Sequence, residues 1–275
     1  MAITEDWRAF TYAMFGGSDG AKIGKLAFIN GSFYENGNVT FLQEPTVTNG
    51  NIELSNTNLY SISGATNSPI QPDPPPVMPA LDTSVYSNLF SNMAGITNSS
   101  YPATLSGFTN KVNNPGPPGL TINSTITGPG WLVVNGDITF DSGNQIGSDV
   151  TIVSGGVIRF NKGCVAGSNC LFYANTGFEL KMDTVALNVG MLITPGYFTA
   201  DKSFSYTGTI YAAGTINLKM DATVVGSLVA GGAIDISKNL SVIYDPTQVP
   251  EIMPPGFVPV LIPPRDQKDW IQIFQ

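Results

Sequence analysis

From Trp131 onward the chain can be stacked into successive segments that begin at residues 131, 150, 170, 191, 209 and 228, steps of 18 to 21 residues. Each segment holds an apolar strand, a glycine-bearing turn, an alternating second strand, a polar turn and a shorter third strand. The turn glycines recur as Gly136, Gly156, Gly177, Gly196, Gly214 and Gly232. A repeat of this length built from short strands predicts an all-β, right-handed parallel β-helix whose rungs stack about 4.8 Å apart. A propeller blade would need about twice the length.

Alternation assigns the faces. In the second strand, Ile138/Phe140, Ile158/Phe160, Ile216/Leu218 and Ile234/Ile236 share one parity and point inward, and Phe178/Leu180 keep the pattern with a one-residue slip. The first strand is apolar at both parities. The alignment places Val133, Ile152, Phe172, Leu192, Ile210 and Val229 inside, and Val134, Val153, Tyr173, Ile193, Tyr211 and Ala230 outside. A strand apolar on both faces is covered by other parts of the chain, or it displays a binding platform.

The rest of the chain suggests parts added to one β-helix domain. Residues 1–20 carry helical spacing at Trp7, Phe10 and Met14 ahead of Gly16-Gly17, which predicts a capping helix. Residues 21–42 read as a first rung, which starts the helix or caps its open end. Residues 43–130 hold 12 of the 20 prolines and only five charged residues, yet keep Tyr86, Phe90 and Tyr101. They predict an ordered insertion packed on the outside, with a short helix over 82–94. Regular rungs span 131–245, and 246–275 form a C-terminal tail containing Trp270.

Composition narrows the chemistry. With no histidine there is no Ser-His-Asp triad and no HExxH zinc site. A net charge of −8 disfavours nucleic acid and anionic membranes as partners. Charged residues are only 12% of the chain, so Asn, Ser, Thr and Gly must face solvent, as on secreted and surface proteins. No stretch approaches the roughly 20 apolar residues of a membrane span. Cys164 and Cys170 leave open a local disulfide or two small buried apolar residues, and they make a poor metal site.

A polar ladder, Asp141, Asn161, Asp183, Asp201, Asp221 and Asn239, follows the second strands and is interleaved with Lys162, Lys181, Lys202, Lys219 and Lys238. Such a row could hold calcium or work on a sugar acid. Asx residues are also natural turn formers whose charge neighbouring lysines neutralise, and that is the expectation here. No cofactor and no metal are expected.

The residues AFTYAMFGG (9–17), NGSFYENGNVTF (30–41), the NGDITF-type rungs and YDPTQVPEIMPPGF (244–257) resemble the soluble part of PilX-like surface proteins associated with type IV pili. In architecture the chain is also similar to tāpirins, cellulose-adhering proteins with a loop-decorated β-helix. The N-terminal hydrophobic helix of PilX-like proteins is absent from this sequence, so no membrane contact is expected of this segment. The resemblance implies an extracellular, non-catalytic cell-surface adhesin for a cellulose-like polysaccharide, with pilus proteins as further partners. Tyr173, Ile193 and Tyr211 would form the platform, or Tyr86, Phe90 and Tyr101 if the insertion covers it. The alternatives are a structural, minor-pilin-like subunit and an acidic-polysaccharide enzyme using Asp201 or Asp221.

Overall fold

The computed structural model describes residues 4–43, 45–56, 60–62, 69–91, 93, 100–113, 119–181, 185–250 and 253–262. It is a parallel β-solenoid of about ten coils with very little helix. Each coil contributes strands to three faces. Face A holds strands such as Gly130–Asn135, Val150–Ser154 and Leu171–Ala174. Face B is an in-register stack of ten short strands that includes Ile138–Phe140 and Val157–Phe160. Face C holds Asn144–Ile146, Cys164–Ala166, Leu240–Ile243, Ala27–Asn30, Thr46–Thr48 and the first halves of Phe204–Ala212 and Ala222–Ala230.

The inner core follows the alternation of face B. Ile138, Phe140, Ile158, Phe160, Phe178 and Leu180 are all fully buried, and Phe140 stacks on Phe160 with ring centroids 5.0 Å apart. At the corner between faces C and A the chain turns through stacked glycines. Gly208 and Gly226 have φ of 138° and 136°, and a Cβ on Gly226 would strike the Gly208 carbonyl below it. Only glycine combines that backbone with that approach.

Face A departs from the sequence reading by one residue at two places. Leu132, not Val133, pairs with Ile152, and Leu228, not Val229, pairs with Ile210. Leu132, Val134, Leu228 and Ala230 therefore pack in the inner core, and Val133 and Val229 point outward. A one-residue slip exchanges the faces of a strand, and one apolar at both parities carries nothing local to prevent the misreading.

The coils do not stack in chain order. Met14–Gly16, Ala21–Ile23 and Ala27–Asn30 pair with the last repeat, on Leu228–Val229, Ile234–Ile236 and Leu240–Ile243. Phe33–Glu35, Val39–Phe41 and Thr46–Thr48 add a further coil, followed by Ile52–Leu54 and Tyr60–Ile62. The spiral thus runs from 107 to 243 and continues at 14 through 62. Tyr244 and Ala13 flank the same glycine, Gly31, so the break falls where Ala13 would directly follow Tyr244. The open edge of coil 227–243 is paired by the N-terminal strands instead of being left to solvent.

This stacking replaces the expected N-terminal capping helix. Arg8–Thr11 form a single 3₁₀ turn, and Met14–Gly16 are a strand. The open sheet edge offers Met14 and Phe15 a ladder, and burial on both sides outweighs the helical spacing. Residues 21–42 accordingly belong to two coils rather than one rung. The insertion is shorter than 43–130, because coil strands run to Ile62 and resume at Gly107–Asn113 and Leu120–Ile122. Its helix, α1 (Ser84–Ser91), is shorter than expected and packs beside Gly130–Asn135. Trp270 lies outside the described residues.

Candidate functional site

The outward row of face A is covered. Val133, Val153, Tyr173, Ile193, Tyr211, Val229, Phe15 and Tyr34 form a second apolar layer with Phe10, Tyr86, Met93 and Phe257. Tyr173, Ile193 and Tyr86 are each 0% exposed and Tyr211 is 1%. Tyr86, projecting from α1, stacks on Tyr173 at 3.9 Å and donates its hydroxyl proton to the Pro255 carbonyl at 2.8 Å. The Tyr211 hydroxyl donates to Pro79 O at 2.7 Å, while Phe257 meets its ring edge-on at 4.7 Å. Phe90 is half-buried against the same layer. Tyr101 lies apart, packed on the inner core with its hydroxyl 2.8 Å from Ser124 Oγ. The six candidate residues therefore form no common surface; four are interior packing that fastens the insertion and the C-terminal segment to the solenoid.

Face B carries an ion-pair ladder displaced from the expected one. Arg159 bridges Asp137 at 2.6 Å and Glu179 at 3.0 Å. Lys181 joins Glu179 to Asp201 at 3.2 and 3.3 Å, and Lys219 reaches Asp201 at 2.7 Å. Lys219 and Lys181 hold the Asp201 carboxyl below its ordinary value. Burial would raise Glu179, but hydrogen bonds from Tyr197, Lys181 and Arg159 hold it below the usual range as well. Asp141 instead accepts a bond from Asn161 at 3.0 Å, and Asp221 accepts from the Asn239 amide at 3.3 Å. Asp183 lies outside the described residues. Among the described residues, no three carboxylate or thiol groups converge on a metal site. Cys164 and Cys170 are free and buried; burial pushes the Cys164 thiol up to about 12, which leaves it unreactive.

Face C is different from both. Outward side chains form two parallel ladders in continuous register. One runs Ser205, Thr223, Ser241, Phe28 and Thr46; the other runs Thr207, Val225, Ile243, Asn30 and Thr48. Below them the single row Gln145, Val165 and Asn188 continues the face. None of these 13 residues is charged. Between them, inward residues such as Tyr206, Val224, Val242 and Ile29 are fully buried and fix the strands. The sequence reading passed over this face because its strands are short. The recurrence of Ser205, Thr223 and Ser241 at intervals of 18 residues was the signal available.

A half-open groove of about 810 Å³ adjoins this face, where residues 247–250 and 254–255 pass the corner formed by Gly167, Ser168, Asn169 and Cys170. Asn188 lines both groove and face. Among the described residues, no charged side chain lines it.

The molecule is thus a solenoid with one face covered, one cross-linked by ion pairs and one regular and, among the described residues, charge-free. No protein-family model and no curated protein sequence matches the chain. Among solved structures it is similar to an ice-binding protein from an Antarctic biological consortium, at 14% identity and a TM-score of 0.34, covering 89% of this chain and 93% of that one. It is also similar to the ice-binding protein of Antarctomyces psychrotrophicus, at 15% identity and a TM-score of 0.33, covering 88% of this chain and 100% of that one. A third is a Shewanella frigidimarina ice-binding protein domain, at 13% identity and a TM-score of 0.32, covering 89% and 99%. Each of these three is described as an ice-binding protein. With the aromatic platform buried, the expectation of a polysaccharide or pilus partner is corrected.

Proposed function

We propose that the protein binds ice through face C, acting outside the cell and without catalysis. The observation that supports this is the charge-free double ladder. Coils stack about 4.8 Å apart, and residues two apart on a strand are separated by roughly 6.6–6.8 Å, so the outward side chains form a two-dimensional grid. Both spacings lie close to repeats of water molecules in hexagonal ice. Thr207, Thr223, Thr46 and Thr48 each present a hydroxyl that can join an ordered water layer, beside a methyl that sits in its gaps. A charged side chain would hold a strong hydration shell of its own and break that order. Pairing to coils on both sides keeps the grid from being remodelled by the water it orders.

Thermal hysteresis, the gap between melting and freezing points in the presence of a seed crystal, tests this reading. Thr223→Lys places a solvated ammonium in the middle of the grid and should abolish the gap. Thr139→Lys on face B is the control and should leave it unchanged. Equal hysteresis in both variants would overturn the assignment.

A further inference from the structure

Resting on the ice-binding reading of face C, we propose that Phe28 is the residue that determines how much of the grid engages the crystal. It ends the contact on one side, above the coil carrying Ser241/Ile243.

A rigid grid meets a crystal plane only where its outermost atoms share a level. Seven of the nine other positions in the double ladder are Ser, Thr or Val, which end one bond beyond Cβ; Asn30 and Ile243 are slightly longer. Phe28 ends in a six-membered ring. It sits in the same ladder, directly between Ser241 below and Thr46 above. The ring cannot withdraw inward, because its neighbours Ala27 and Ile29 take the core positions and are 3% and 0% exposed. The ring stays open to solvent in part, with Phe28 37% exposed.

The ring therefore forms a step across a grid that is otherwise continuous. Asn30, Thr46 and Thr48 lie at or beyond the step and are held off any plane that touches Thr223 and Ser241. Phe28 comes from the N-terminal coils, whereas the three coils below the step come from residues 204–243. The boundary of the contact thus coincides with the join between the two parts of the spiral.

Thermal hysteresis of the full chain, Phe28→Thr, Phe28→Val and Thr223→Lys, measured at matched concentration with unfolding midpoints, tests the proposal. The expected result is a wider freezing gap for both Phe28 variants, none for Thr223→Lys, and closely similar midpoints throughout. A Phe28→Thr gap equal to or narrower than that of the unaltered chain, with Thr223→Lys still inactive, overturns the role of Phe28 and leaves the ice-binding reading standing. Absence of any gap in the unaltered chain overturns both.

Discussion

Glu35 is a carboxyl enclosed in the solenoid. It is 0% exposed, and its Oε1 accepts the Gly37 amide at 3.0 Å while Oε2 has no hydrogen-bond partner among the described residues. Burial raises it from an ordinary 4.5 to about 8, against the lowering effect of the Gly37 and Asn36 amides. At pH 7 the folded chain keeps the proton and the unfolded chain releases it. The stability present below pH 4.5 is therefore lost as pH rises, by about 1.4 kcal/mol per unit, and the loss levels off above pH 8. From the two pKa values the cost is about 3 kcal/mol at pH 7 and approaches about 5 kcal/mol above pH 9. Glu35→Gln removes this titration without changing the size of the side chain. Urea unfolding at pH 5, 7 and 9 should show the variant gaining on the unaltered chain by a few kcal/mol across that range. Parallel stability profiles for the two chains would refute the reasoning, because they would mean that Glu35 reaches water or an unrecognised partner when ionised.

Other parts of the molecule give sharper or smaller effects. Tyr86→Ala removes the ring stacked on Tyr173 and the bond to Pro255, so it should cost about 3–5 kcal/mol and open residues 80–91 to proteolysis before global unfolding. Arg159→Ala leaves Asp137 and Glu179 without their shared partner; because the side chains are partly exposed the cost should be about 1 kcal/mol, and high salt should reduce it. Glu179 and Asp201 are held below their ordinary values, so the ladder's contribution is present above the unfolded carboxylate pKa and is lost as pH falls, which an acid titration of Lys181→Ala against the unaltered chain would read. Cys164 should resist alkylation in the folded protein and react fully in urea, as mass spectrometry would show.

How much of this was legible beforehand depends on how local each cause is. A period-two alternation between recurring glycines carries its own geometry, so the coils, and the inward row from Ile138 to Ile236 on face B, follow from residues close in the chain. On face A the same reasoning had nothing to hold to. Val133 and Val134 are both apolar, and either parity satisfied the pattern until pairing with Ile152 settled it.

Whether Tyr173 and Tyr211 formed a platform or an interior layer depended on where α1 and residues 253–258 came to rest, more than 40 residues away in the chain. The sequence by itself determined the repeating coil. Only the tertiary structure decided that residues 14–62 stack on residues 227–243, and so joined Asn30, Thr46 and Thr48 to Thr207 and Thr223 on one charge-free face. The physical reason is that an open sheet edge accepts any strand of suitable alternation that can reach it. Which strand arrives is set by burial over the whole molecule.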